Sequence, residues 1–429
     1  MWRIGIFIVG FSLLLVGVYG WVENVWADTL VLSDTETAAA NAVIRCQAGM
    51  AGSYPCKNVD LLAHLPLEAI GGGGEIKGND HWGWTDPETG RDYVLFGLTD
   101  GTAFIDISDR QNPVYLGKLP GHDGASLWRD IKVYQNVAYI TADIPTASGL
   151  QIFDLTQLRD VENPPVEFSA GNHYDEFGPG HNLWVNAESG FLYVFRSDTC
   201  GGAVHMLNLA DPLNPTFAGC FAEDDAPLSD SECVIYHGPD ADYNGHEICF
   251  IGSDDNVSIG DVTDKNNPAI ITDFDYPGIA RAHQGALTPD HRYWLLSDTM
   301  DEVTSGHNTR TYLFDVANLD EPVVLGFYEQ STTARDHNLY IIGTTMYQTN
   351  WQAGLRVLDI GRLPATNFVE TGYFDIVPGS DSVASEGAWS SYPWWDDGVV
   401  TVSGTAEGLF VLRPYSNQTF LPVIRQVAE

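Results

Sequence analysis

The chain is written in short runs of alternating apolar and polar residues closed by glycine, proline, asparagine or aspartate, and no run beyond the N-terminus keeps a helical period. "RDIKVYQN", "VAYITAD" and "GLQIFDL" read as three successive strands, with "PPVEFSA" after the Pro164-Pro165 break as a fourth. The third-strand phrase recurs as "GTAFIDISDRQNPVYLG", "GLQIFDLTQLRDVENPPVEF", "GAVHMLNLADPLNPTFAGCF", "NVSIGDVTDKNNPAIITDF", "RTYLFDVANLDEPVVLGFY" and "GLRVLDIGRLPATNFVETGYF", then in truncated form as "GLFVLRP". Aligned on the residue that opens the first strand, the units start at Asp80, Arg129, His181, Glu232, His283, His337 and Glu386, in steps of 49, 52, 51, 51, 54 and 49 residues. A period near fifty with four strands per unit is that of a propeller blade, which predicts an all-β, seven-bladed β-propeller. A sandwich would not hold so even a spacing.

A propeller with an incomplete blade leaves strand edges bare. The seventh unit supplies "AWSSYP", "GVVTVSG" and "GLFVLRP" but no fourth strand. The missing one lies at the other end of the chain, where "VDLLAHLPL" (Val59 to Leu67) matches "PVYLGKLPG" (Pro113 to Gly121), with Leu62, Leu65 and Pro66 over Leu116, Leu119 and Pro120. The last blade is therefore expected to be closed by an N-terminal strand, with the propeller spanning 59–414 between a segment at 28–58 and a tail at 415–429. Asp106, Asp154, Asp261, Asp315 and Asp359, with Asn208 in the third copy, recur in the third strand, where a short acid bonds the neighbouring backbone of a turn.

The formal net charge of -38 over 429 residues repels phosphate backbones and argues against a nucleic-acid partner. The apolar run from Ile4 to Val22, followed by Val25-Trp26-Ala27, reads as an export signal over residues 1–27, and only an uncleaved form of it would touch a membrane. An extracellular or cell-surface location follows. The six cysteines fit an oxidising compartment, and proximity pairs Cys46 with Cys56, Cys200 with Cys220 and Cys233 with Cys249 within the 15 connectivities possible.

Because the first strand of each blade lines the channel, Asp80, Arg129, His181, Glu232, His283, His337 and Glu386 are expected to ring one channel mouth. His81 and Asp130, along with Asn182, Gln284 and Asn338, follow them in sequence. Imidazoles with carboxylates suit zinc, manganese or iron, and Arg129 suits an anionic group. The competing reading is structural, with these side chains bonding the backbone of the next blade. Asp240, Asp242 and Asn244 before Gly245 match the first half of a calcium loop, but Ile251 stands where its last acid belongs, and Asn244-Gly245 is also a hairpin turn. The residues assign no cofactor, and the candidate is a divalent cation, calcium or a transition metal. G-x-S-x-G, H-E-x-x-H and phosphate-binding glycine loops are absent from the sequence.

The stretches "CQAGMAGSYPC", "NDHWGWTDPETGRDYVLFGLTDG", "SLWRDIKVYQN", "GPGHNLWVN", "CVIYHGPDADYNG", "NTRTYLFDV" and "GLFVLRP" resemble the choice-of-anchor B family, and the third and fourth strands resemble its Leu-Val-Ile-Val-Asp repeat. The resemblance covers about Cys46 to Pro414. It implies a secreted bacterial propeller followed by varied surface anchors and without an established activity; this chain departs from it in carrying no recognisable anchor. The expected function is a binding module for an extracellular protein, glycan or small ligand. The alternative is a metal-dependent hydrolase or lyase at the channel mouth.

Overall fold

The computed structural model describes residues 42–122, 124–144, 149–221 and 228–415. The stretch expected to be an export signal, the start of the 28–58 segment and all of the tail but Tyr415 lie outside the described residues. Seven antiparallel sheets follow one another along the chain. Blade 1 comprises Gly78–Thr85, Asp92–Leu98, Gly101–Asp106 and Val114–Pro120, and blade 2 Arg129–Tyr134, Val137–Ala142, Leu150–Asp154 and Asn172–Tyr174. Blade 3 has Asn182–Asn186, Phe191–Phe195, Val204–Asn208 and Thr216–Phe221, and blade 4 Leu228–Ile235, Glu247–Ser253, Val257–Asp261 and Ala269–Phe274. Blade 5 has Ala282–Leu287, Tyr293–Asp298, Arg310–Asp315 and Val323–Glu329, and blade 6 Leu339–Ile342, Thr345–Asn350, Gly354–Asp359 and Val369–Phe374. Blade 7 takes Ala388–Tyr392, Val400–Gly404 and Gly408–Pro414 from the end of the chain and Val59–Leu65 from its beginning. First strands of successive blades pack on one another round the circle, and that of blade 7 packs on that of blade 1. The fold is a seven-bladed β-propeller.

Strand residues alternate between the two faces of a sheet, so a blade stacked on both sides must be apolar on both. The core accordingly divides into seven clusters, one per blade junction. On blade 1, Val94, Phe96 and Leu98 face blade 7, while Tyr93 and Leu95 face blade 2. The closing strand serves two clusters: Val59 and Leu61 pack toward blade 6, and Leu62, Ala63 and Leu65 toward blade 1, the switch falling at a bulge between Leu61 and Ala63. The sequence match is thus realised in register, from Val59 against Pro414 to Leu65 against Leu409. Upstream of it, Tyr54–Lys57 adds to the outer edge of blade 6, Cys56 opposite Phe374 and Lys57 opposite Tyr373.

One strand differs from expectation. "PPVEFSA" is not the fourth strand of blade 2. Val166 and Glu167 instead run parallel to Gly117 and Lys118 as a fifth strand on blade 1, and Asn172–Tyr174 completes blade 2. Gly117, at φ 146°, has no side chain to keep the Val166 backbone away, and a Cβ there would collide with it.

The recurrent turn acids do what a turn requires. Asp106, Asp154, Asp261, Asp315 and Asp359, and Asn208 likewise, each accept the amide two residues on, at 2.8–3.0 Å. All three expected disulfides are present, and Cys233 and Cys249 are direct cross-strand partners in blade 4.

Candidate functional site

Arg129, Asp130, His181, His283 and His337, the openers or their followers in four blades, line one cleft with Asn182, Asn338, Trp128 and Trp389. These residues come from blades 2, 3, 5, 6 and 7, so the cleft sits over the channel. Its empty volume is about 300 Å³ out to open solvent, and the enclosed part admits little more than a single small group or ion. Asp80, His81, Glu232 and Glu386 do not line it, and Glu386 lies exposed on the loop before blade 7.

The ring is bound together by side chains reaching to neighbouring blades, and every junction has one. Arg129 Nε donates to the Leu98 carbonyl at 3.1 Å, from blade 2 to blade 1. Asp130 Oδ2 accepts the Leu183 amide of blade 3 at 2.6 Å, and Trp184 Nε1 of blade 3 donates to the Cys233 carbonyl of blade 4 at 2.8 Å. Glu232 accepts the Leu287 amide of blade 5 at 2.7 Å, and Gln284 of blade 5 accepts the Leu339 amide of blade 6 at 2.6 Å. His337 Nδ1 donates to the Trp389 carbonyl of blade 7 at 2.6 Å, and His81 Nε2 bonds Thr401 Oγ1 across the closing junction at 2.9 Å. For Asp130, Glu232, His337 and His81, then, the bonds to neighbouring blades account for the polar residue at that position.

Burial sets the charges. It takes His337 and His81 down to about 3 and His283 well below its ordinary value, so all three rings are neutral. Burial lowers Arg129 to about 10, still charged at neutral pH. One of its guanidinium nitrogens, Nη2, is buried without a hydrogen-bond partner, as is Nδ1 of His283. His181 Nδ1 donates to Asp143 at 3.0 Å, which holds that carboxyl below the usual range. The rings form an aromatic wall: His283 stacks on His337 at 4.7 Å, Trp389 lies 5.1 Å from Trp128, and Trp128, 37% exposed, offers a face to solvent.

Below this lies an ion cluster that the opener alignment does not reveal. Lys132 Nζ contacts both Asp130 oxygens at 2.8 and 2.9 Å and Asp80 at 3.4 Å, and sits 4.6 Å over the Trp82 ring. Burial, with Asp130 beside it, raises Asp80 well above the usual carboxylate range. Burial acts on Asp130 in the same direction, but Lys132 and the Leu183 amide outweigh it and hold Asp130 down. Asp80 therefore carries the proton and Asp130 the charge. Lys132 falls two residues after Asp130, on the same face of the strand Arg129–Tyr134, which is the signal that could have found it.

Asp240, Asp242 and Asn244 lie in the hairpin between the first two strands of blade 4. Asp240 is spent on the Leu319 amide at 2.9 Å and the Asp242 amide at 3.2 Å, the bonding of a turn, and Asp242 and Asn244 are exposed. Among the described residues, no three His, Cys, Asp or Glu side chains stand at the mutual geometry of a formed metal centre.

No family model matches the chain, and no curated protein matches it. Among solved structures it is similar to the beta-propeller domain of Cps50 (Swd1) from Myceliophteria thermophila, at 11% identity over 76% of this chain and 94% of that chain, with a TM-score of 0.44. It is also similar to the computationally designed Ika8 protein, at 10% identity over 79% of this chain and 83% of that one, with a TM-score of 0.48. Both are likenesses of fold, and no functional residue carries over from either.

Proposed function

We propose that the protein is an exported binding module of the choice-of-anchor B type that takes a small polar group of an extracellular glycan or protein into the cleft over its channel. The observation that carries this reading is the solvent-facing Trp128 ring gathered into one cleft with Arg129 and the neutral imidazoles of His283 and His337, with enclosed room for little more than one small group. An aromatic face beside hydrogen-bonding groups suits a sugar ring or a chain end, with the rest of the partner resting on the rim. The net charge of -38 disfavours polyanions, nucleic acid included. Three disulfides fit an oxidising compartment. The test is a screen of immobilised glycans and peptides followed by titration monitored by tryptophan fluorescence. Trp128→Ala should abolish binding of the hit without lowering the melting temperature. A hit bound equally well by Trp128→Ala and His283→Ala would remove the cleft as the site.

A second reading, a metal-dependent hydrolase or lyase at the same cleft, has one observation in its favour. His181 and His337 both use Nδ1 on an orienting acceptor, Asp143 and the Trp389 carbonyl, which leaves Nε2 as the lone-pair atom, as in metal-binding histidines. Metal analysis of the purified protein and of His181→Ala and His283→Ala separates the two. Metal retained by both variants would exclude the cleft as its site.

A further inference from the structure

Blade 5 carries a second concentration of charge that the cleft does not use. Between its second and third strands the chain makes a short helical turn, Asp301–Ser305, and the loop before blade 6 brings Asp336 against it. Asp298, Asp301, Glu302 and Asp336 are 0%, 0%, 1% and 0% exposed. Asp298 is well satisfied by the Tyr276 hydroxyl at 2.8 Å and the Ala280 and Arg281 amides at 2.8 and 2.7 Å.

The other three are not. Both oxygens of Asp336, Oδ1 of Asp301 and Oε2 of Glu302 are buried without a hydrogen-bond partner. Asp301 Oδ2 accepts the Tyr312 hydroxyl at 2.9 Å and has the His307 ring at 3.5 Å, Glu302 Oε1 accepts the Asp336 amide at 3.3 Å, and the Asp301 and Glu302 carboxyls stand close enough to share a proton. The neighbouring Arg335 is turned to the Thr299 carbonyl, 2.6 Å from its Nε, and to Ser385. Carboxylates withdrawn from water without donors or counter-ions cost several kcal/mol each. The cluster therefore needs protons or a cation, and its donors are all hard oxygens gathered from two neighbouring blades.

We propose that Asp301, Glu302 and Asp336, backed by Asp298, bind a calcium ion that fastens the blade 5 turn to the loop entering blade 6. Oxygen donors alone, several of them able to bind through two atoms, select calcium over the softer transition metals. The carboxylates are not drawn into a finished coordination sphere, so loading turns the Glu302 and Asp336 side chains toward a common centre. The partly exposed His307 ring, against Asp301, marks the side from which an ion reaches them. Asp336 immediately precedes His337, so a filled site also steadies one wall of the cleft.

The test uses the full chain after chelation. Calcium should raise the melting temperature by several degrees with a Kd of roughly 0.1–1 mM, the range of extracellular modules. Terbium should luminesce on excitation of Tyr312 and Tyr276, and calcium should quench it. Asp336→Asn and Glu302→Gln should lose both responses, while in chelator each melts at or above the wild type because a buried repulsion has been removed. Three results would overturn the proposal: a wild type that shows neither response at millimolar calcium, an equal shift with magnesium, or responses unchanged in both variants. The last would move the ion elsewhere, the Asp240 hairpin being the first place to look.

Discussion

Removing the closing strand should cost the protein its fold, and the size of the effect can be worked out. A chain beginning at Gly71 loses Val59, Leu61, Leu62 and Leu65, which are 0%, 4%, 2% and 9% exposed, together with the six-pair ladder to Gly408–Pro414. Burying such a side chain is worth about 1.5–3 kcal/mol, so the four together contribute roughly 6–12 kcal/mol. The total stability of a domain is about 5–15 kcal/mol. Two core clusters lose a wall at once, and the last strand of blade 7 becomes a bare edge open to other chains. Urea titration followed by tryptophan fluorescence, with size-exclusion chromatography, should show an unfolded or aggregated product. Because the deletion also removes the Cys46–Cys56 hairpin, Leu61→Ala and Leu62→Ala in the intact chain are the sharper probes, each expected to cost about 2–5 kcal/mol. A shortened chain that stays monomeric and within about 2 kcal/mol of the parent, the least expected from a single Leu→Ala change, would refute the reasoning.

Lys132→Met should destabilise by about 3–5 kcal/mol, since it strands a buried carboxylate, and adding Asp80→Asn and Asp130→Asn should recover most of the loss, as read by urea unfolding. Burial raises Glu232 to about 7, above its unfolded value near 4.5, so its contribution is full below about pH 4.5 and is lost as pH rises through 7. Glu232→Gln keeps an acceptor for Leu287 and should flatten melting temperature against pH across that window. The depressed rings of His81 and His337 act with the opposite sign: their contribution is present above about pH 6.5 and lost as pH falls toward 3. Non-reducing peptide mapping should return the three local disulfides, with Cys233–Cys249 slowest to reduce because both residues are buried.

The architecture was legible because a propeller repeats itself: a period of about fifty, a turn Asp or Asn in six of the seven copies and one missing strand suffice to count and close the blades. "PPVEFSA" was misassigned because a parallel pairing to the preceding blade depends on the absent side chain of Gly117, and strand pattern is silent on partners. The opener alignment located the channel but could not divide cleft residues from ties, since Asp130 and His337 belong to both and Glu232 only to the second. Trp128 and Trp389 escaped because they stand one residue before and three after an opener, outside the aligned column. The blade 5 carboxylates are spread over 39 residues in sequence, from Asp298 to Asp336, and meet only in three dimensions. The step from His283 to His337, the longest of the six, was the visible trace of the inserted turn.

The closing ladder also decides how the molecule responds to tension. Its two strands are antiparallel, and the chain enters at Val59 beside the point where it leaves at Pro414. A pull that separates these points peels the pairs one after another, as a zipper opens, instead of shearing all six together. Upstream, however, Cys46–Cys56 short-circuits the hairpin, and Cys56 and Lys57 are stitched to Phe374 and Tyr373 of blade 6. Load arriving from the N-terminal side therefore falls first on blade 6, which acts as strain relief for the closing ladder. Under load, the lifetime of that six-pair ladder, a rate and not an equilibrium quantity, sets how long the ring stays shut.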